Sequence, residues 1–227
     1  MIFKGKHGPL LIAEIGGNHE GNFDYALKLT KLAIESNVDV IKYQIYTGNS
    51  LVNPLESPDR HIHFQKFELT KNEHIQLAKF CQKHGVQYSA SVWDTSVLDW
   101  IDPYLNFYKI GSGDLTAYYL LSEIATRGKP IVLSTGLSNM NEVIDTVNFL
   151  KKENTVYKNR DYLSILQCTS LYPCKNHEVN LDNMLYLQKK SGLEVGFSDH
   201  TIGTTACEIS YSMGGKIIEK HFTDKKQ

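Results

Sequence analysis

The stretch PIVLSTGLSNMNEVIDTVNFLKKE, Pro130–Glu153, decides the fold. Ile131, Val132 and Leu133 are apolar on successive positions and end in Ser134 and Thr135, which reads as a short strand buried on both faces. Ser138 or Asn139 then supplies a helix cap, and a helix runs to about Glu153. One strand followed by one helix is the unit, and the chain repeats it.

Working outward, strands are expected at Leu10–Ile15, Val38–Gln44, Val86–Val92, Phe107–Ser112, Pro130–Thr135, Tyr162–Cys168, Leu193–Phe197 and Lys216–Phe222. Between them Phe23, Ala26, Leu27, Thr30, Ala33 and Ile34 fall at helical spacing, as do Ile75, Leu77, Ala78 and Cys81. Thr70 and Glu73 form a capping box, and Gly85 is placed to end that helix. Strands alternating with helices require a parallel sheet, because a crossover helix returns the chain in the same direction. Eight units point to an α/β fold closed into a (β/α)8 TIM barrel, with an open doubly wound sheet as the alternative. No Pro-, Gly- or Ser-rich linker divides the chain, so residues 1–227 read as a single TIM-barrel domain.

Composition narrows the class. The 227 residues are 41% hydrophobic and 22% charged, ordinary values for a chain that buries a substantial core. Lys plus Arg number 24 and Asp plus Glu 25, so the net charge of −1 argues against nucleic-acid binding by bulk charge. Cys81, Cys168, Cys174 and Cys207 lie far apart with no C-x-x-C pair, which suits reduced thiols in a cytoplasmic protein. The apolar run Leu10–Ile15 is too short to be a signal sequence or to span a bilayer, and no membrane partner is expected.

One connection is long. Ile45–Leu69 contains Pro54 and Pro58, many polar residues and no sustained period, so it reads as a loop, either functional or disordered. His61 and His63 within it make an H-x-H pair. Without a third ligand nearby they are expected to be solvated histidines.

The strand ends carry unusual chemistry. Nearly every strand bears a polar or ionisable group at or just past its C-terminal end: Glu14, Asn18 and His19; Lys42 and Gln44; Ser89 and Ser91; Lys109, Ser112 and Asp114; Ser134 and Thr135; Gln167, Thr169 and Ser170; Ser198, Asp199 and His200; Glu219 and His221. In a barrel these ends converge on the catalytic face. Lys42 and Lys109, the hydroxyls of Ser91, Ser112, Ser134 and Ser198, and the glycines of G-S-G at Gly111–Gly113 supply charge, donors and close backbone approach for a phosphate-like anion. Either lysine alone could instead be a Schiff-base nucleophile or half of a buried ion pair. His200 and His221 suit a divalent transition metal with open positions, and serve equally well as structural or acid–base histidines. Glu14 and Asp114 could handle protons or sugar hydroxyls, or simply neutralise the lysines.

These residues fall in motifs that together resemble the sialic acid synthase family. The motifs are A-E-I-G-G-N-H-E-G (Ala13–Gly21), I-K-Y-Q (Ile41–Gln44), Y-K-I-G-S-G-D (Tyr108–Asp114), G-K-P-I-V-L-S-T-G (Gly128–Gly136), Q-C-T-S-L-Y-P (Gln167–Pro173), G-F-S-D-H-T (Gly196–Thr201) and E-K-H-F-T (Glu219–Thr223). They occur in the family's order from about Leu10 onward.

The resemblance implies condensation of phosphoenolpyruvate with the open-chain aldehyde of an N-acetylated hexosamine, giving a nine-carbon 2-keto sugar acid and phosphate. It implies Mn2+, or another divalent cation such as Mg2+ or Co2+, held by His200 and His221. Lys42, Ser91, Lys109, Ser112, Ser134, Ser170 and Ser198 are implied as phosphoenolpyruvate ligands. Gln44 and Tyr172 are implied for the sugar, and Glu14 and Asp114 as the catalytic carboxylates. Asp114 is one methylene shorter than the Glu of some relatives. The product could be sialic acid itself or a legionaminic, pseudaminic or spore-coat relative.

Relatives continue past H-F-T into an eighth barrel helix and a small antifreeze-like domain, and form homodimers. With the sequence stopping at Gln227, the last helix and that domain are expected to be missing. The alternative function is therefore a truncated or non-catalytic barrel that binds the anion or assembles with other chains.

Overall fold

The computed structural model describes residues 2–225. The eight apolar runs form eight strands: β1 Leu10–Gly16, β2 Val40–Ile45, β3 Gln87–Val92, β4 Tyr108–Ile110, β5 Ile131–Ser134, β6 Leu163–Cys168, β7 Glu194–Asp199 and β8 Ile217–His221. The helices are α1 Phe23–Glu35, α2 Gly48–Leu51, α3 Pro58–Lys66, α4 Lys71–Lys83, α5 Leu98–Ile101, α6 Tyr118–Thr126, α7 Met140–Glu153, α8 Asp182–Ser191 and α9 Thr205–Ser212. Strands pair in the order β3-β2-β1-β8-β7-β6-β5-β4. The first and last strands are neighbours, which is the (β/α)8 arrangement and not that of an open doubly wound sheet. No helix among the described residues is long and apolar enough to cross a membrane.

The chain divides into two compact units. The larger holds the residues up to Ile12 and Phe107–Lys220; the smaller holds Ala13–Asn106 and the residues from His221 onward. In the larger unit the parallel ladder places Lys109 opposite Val132, Ser134 opposite Leu166, Cys168 opposite Ser198, and Ser198 opposite Glu219. Leu121, Ile124, Val143, Val147, Leu150, Met184 and Leu187 on α6, α7 and α8 are buried along with Ile131–Leu133, Ile165 and Val195 of the strands. Burial of each such side chain contributes about 1.5–3 kcal/mol. The Asn139 side chain caps α7 by accepting from Asn141 N and Glu142 N, and Glu142 completes a capping box.

In the smaller unit β2 pairs with β3, with Lys42 opposite Ser89 and Gln44 opposite Ser91. Its interior is aromatic: Tyr43 and Tyr88 stack at 5.8 Å, Thr30 and Tyr43 share a hydroxyl hydrogen bond of 2.7 Å, and His74 Nδ1 meets the Tyr88 hydroxyl at 2.9 Å. Burial drives the His74 imidazole down to about 3 and that of His19 to about 4. The Thr70–Glu73 capping box opens α4, and Gly85, at φ +70°, ends it.

The connection Ile45–Leu69 departs from the expected loop, because it contains α2 and α3. Pro58 sits in the first turn of α3 with Asp59, as helix starts favour. None of the residues of α3 is buried, so no apolar period marks it in the sequence. His61 and His63, two apart on this helix, do not face each other; His61 Nε2 meets Asn49 Oδ1 at 2.7 Å and His63 packs on Phe67.

Candidate active site

In the larger unit β4 alternates Tyr108, Lys109 and Ile110, so the lysine alone takes its face of the strand. Lys109 is 3% exposed. Its Nζ donates to Ser134 Oγ at 2.7 Å and to the Ile110 carbonyl at 3.2 Å, and lies 3.4 Å from Glu219 Oε1. Ser198 Oγ donates to the same carboxylate oxygen at 2.9 Å. Four strands thus deliver one buried network of a cation, a carboxylate and two hydroxyls. An ammonium and a carboxylate withdrawn from water together are tolerable only when paired and hydrogen-bonded in this way.

Hydroxyl direction follows from these partners. Ser134 Oγ accepts the lysine N–H, which leaves its own hydrogen available to a ligand. Ser112, in the 3-10 turn after β4, accepts from Gly136 N at 2.9 Å and hydrogen-bonds to the Cys168 thiol. Gly136 can only be glycine here: a β-carbon would stand 2.5 Å from Ser170 Oγ and 3.0 Å from both Cys168 Sγ and Ser112 Oγ. That crowding brings Ser170 to the neighbourhood of Ser112. Asp114, in the same turn, is half-buried; burial raises its carboxyl to about 6 against the opposing charge of Lys109.

His200 follows β7. Its Nδ1 lies 2.8 Å from the Thr169 carbonyl, and Tyr172, itself exposed, stacks on its ring at 4.1 Å. A carbonyl accepts only from an N–H, so this contact protonates Nδ1 and makes Nε2 the lone-pair nitrogen, as in metal-ligating imidazoles. Burial lowers the His200 pKa, but hydrogen bonding to Cys168 and Thr169 outweighs it and the net shift is upward. Cys168 responds in kind: burial raises the thiol, contact with His200 outweighs this, and its pKa falls below the usual value.

The smaller unit holds a second buried pair. Glu14 Oε2 lies 2.5 Å from Lys42 Nζ, Glu14 Oε1 accepts from Gln44 Nε2 at 3.0 Å, and Lys42 Nζ donates to Ser91 Oγ at 3.4 Å. Glu14, Lys42, Gln44 and Ser91 are therefore brought together as the strand-end pattern suggests. His221 ends β8 in this unit and is exposed. Asn18 and His19 serve the architecture: Asn18 Nδ2 donates to the Phe222 carbonyl and His19 Nδ1 accepts from Gly21 N.

No group of three or more His, Cys, Asp and Glu side chains among the described residues is arranged to hold a metal ion. The carbonyl contact at Nδ1 of His200 leaves its Nε2 as the nitrogen a metal ion could take.

In the sequence Glu219 reads, with Asp199, as an oxygen donor beside the two histidines; the structure makes it the carboxylate that joins Lys109 to Ser198. Its position two residues before His221 on one strand is the signal that could have found it. Gly136 and Cys168 carry no sequence signal for their part, because it rests on contacts between separate loops.

The NeuB family profile matches residues 29–227. The chain is 32% identical over 231 residues to N,N'-diacetyllegionaminic acid synthase of Legionella pneumophila, covering 95% of this chain and 64% of that protein. It is 33% identical over 227 residues to pseudaminic acid synthase of Campylobacter jejuni, covering 93% of this chain and 64% of that one. The crystal structure of N-acetylneuraminic acid (sialic acid) synthetase from Leptospira borgpetersenii, in complex with citrate, superposes with a TM-score of 0.88 at 27% identity, covering 96% of this chain and 74% of that one. The chain spans about 64% of the length of the first curated relatives it matches.

Proposed function

The chain belongs to the NeuB family, and from that membership we propose that it condenses phosphoenolpyruvate with the open-chain aldehyde of an N-acetylated hexosamine to give a nine-carbon 2-keto sugar acid and phosphate. The observation that carries this reading is the buried Lys109 network. Lys109 supplies positive charge, and Ser134 accepts from it, which leaves the Ser134 hydroxyl hydrogen free to donate. Donors prepaid in this way suit the phosphate and carboxylate of phosphoenolpyruvate. Ser112, Ser198 and Ser170 complete the proposed ligands in the larger unit. In the smaller unit Lys42 and Ser91 are proposed for phosphoenolpyruvate, Gln44 for the sugar with Tyr172, and Glu14 as a catalytic carboxylate.

In the reaction C3 of phosphoenolpyruvate forms a bond to the aldehyde carbon, whose oxygen gains a proton; water adds at C2 and gives up a proton, and the C2–O bond to the bridging oxygen breaks, so that this oxygen leaves with inorganic phosphate and C2 becomes the ketone. Asp114, with its carboxyl near 6, takes the proton that the incoming water releases; a base poised near the working pH is the efficient choice. Lys109 and the serines hold the departing phosphate. His200 and His221 are proposed to hold Mn2+, or Mg2+ or Co2+, which supplies Lewis acidity for the aldehyde oxygen when bound. Tyr172 braces the His200 ring by stacking.

Crystals soaked with Mn2+ and phosphoenolpyruvate test both subsites at once. The account expects the phosphate or carboxylate within hydrogen-bond reach of Lys109 Nζ and Ser134 Oγ, and the metal on His200 Nε2. His221→Ala should remove metal dependence; unchanged Mn2+ affinity in that variant would overturn the metal assignment.

A further inference from the structure

A second cavity, of about 430 Å³, lies in the larger unit between the C-terminal ends of β5 and β6 and the first turns of α7 and α8. Its lining includes Gly136 and Cys168, which border the anion network, but none of Lys109, Ser112, Ser134, Ser170, Ser198 or His200, and it contains no charged side chain. Its polar wall mixes acceptors with amide donors, because several wall residues give one donor each to backbone carbonyls. Thr135 Oγ1 donates to the Leu166 carbonyl at 3.1 Å, Gln167 Nε2 to Val179 at 3.1 Å, Thr169 Oγ1 to Glu178 at 3.0 Å, and Asn180 Nδ2 to Glu178 at 3.1 Å. The two threonines are left with oxygen lone pairs, while Gln167 and Asn180 keep their carbonyl oxygens and one N–H each. Asn139 is the complement: its Oδ1 is taken by the first N–H groups of α7, which leaves its NH2 as a donor.

A phosphate or carboxylate would find no side-chain counter-charge along this wall and would leave its acceptors unused. A ligand rich in O–H groups can use acceptors and amide donors together. The floor is apolar, formed by Met140, Val143 and Leu187, and Tyr186 stands half-exposed at the rim. A pyranose has both faces of this chemistry: hydroxyls around its edge and a C–H surface that packs on an aromatic ring. The volume lies in the range of small-molecule sites, about 300–1,000 Å³. We propose that this cavity is a binding site for an uncharged pyranose sugar, beside the anion network and independent of the condensation reaction.

The test uses methyl α-glucopyranoside, whose ring is locked and which therefore cannot serve as an aldehyde substrate. In nuclear magnetic resonance titrations of the full chain it should produce saturable shifts at the side-chain amides of Asn139, Asn180 and Asn183, with millimolar affinity. Asn183→Trp, which fills the cavity, and Tyr186→Ala, which removes the rim, should each weaken binding about tenfold. Both positions are exposed on α8, so an unchanged unfolding midpoint confirms that the fold is kept. The corresponding methyl glucuronide, which adds a carboxylate, should bind about tenfold more weakly. Absence of saturation, equal binding of the glucuronide, or shifts that both variants leave intact would overturn the proposal. Because the probe cannot react, failure here leaves the condensation proposal standing, and the reverse also holds.

Discussion

At the scale of single residues, what distinguishes Ser134 from an ordinary buried serine is that it accepts from Lys109 and so has its own hydrogen to give, while Ser112 is fixed between Gly136 N and the Cys168 thiol. Gly136 sustains this at Ser112. Gly136→Ala should cost about 1–3 kcal/mol of stability by overpacking and weaken phosphoenolpyruvate binding by more than about tenfold, checked by denaturant titration and calorimetry. Asp114 gives a second prediction. Its ionised form is the base, so kcat should rise with pH through about 6; Asp114→Glu should keep such a limb and Asp114→Asn should lose it. A pH–rate profile of Asp114→Asn with the limb intact would remove Asp114 from the proton's path. These residues were partly legible in the sequence. Lys109, Ser112, Asp114 and Ser134 stand out because polar groups at the ends of apolar strands demand a reason. Gly136 does not stand out, because the three side chains that forbid it a β-carbon come from Ser112, Cys168 and Ser170, on two other segments of the chain.

At the scale of elements, β7 and β8 are locked in register by two adjacent rungs of opposite facing. Ser198 and Glu219 share one rung, and Asp199 and Lys220 the next. Asp199 is buried and accepts from Lys220 Nζ at 2.5 Å, Thr201 N at 2.8 Å and Cys207 Sγ at 3.1 Å. Burial raises its carboxyl, but these donors outweigh it and hold it below the usual carboxylate range. The pair's contribution is therefore present at neutral pH and lost as pH falls through the depressed pKa. Lys220→Met should cost about 3–5 kcal/mol in urea titration by stranding a buried carboxylate, and the double variant with Asp199→Asn should recover part of it. Equal losses in single and double variants would refute the coupling. Helix α7 was readable from its cap and period, and Asn139→Ala should cost about 1 kcal/mol. Helix α3 was not, because a helix that buries nothing has no reason to space its apolar residues.

At the scale of the whole molecule, the eight strands followed from apolar runs that each close on small or polar residues, and the (β/α)8 class followed from their number. The pairing of Lys109 with Glu219 did not follow, since it joins residues 110 positions apart in sequence. Acid should unfold the protein in a defined window. His19 and His74 are held neutral by burial, with pKa values of about 4 and about 3. The unfolded chain takes up their protons near 6.5 and the folded chain does not, so stability is full above about 6.5 and declines by several kcal/mol as pH falls towards 4. A urea midpoint that stays flat between pH 7 and pH 4 would contradict this. The central claim concerns chemistry, and release of inorganic phosphate from phosphoenolpyruvate tests it most directly. The account predicts release that requires both Mn2+ and an added N-acetylhexosamine and that falls away in Lys109→Met; phosphoenolpyruvate binding with no phosphate released on any N-acetylhexosamine would contradict it.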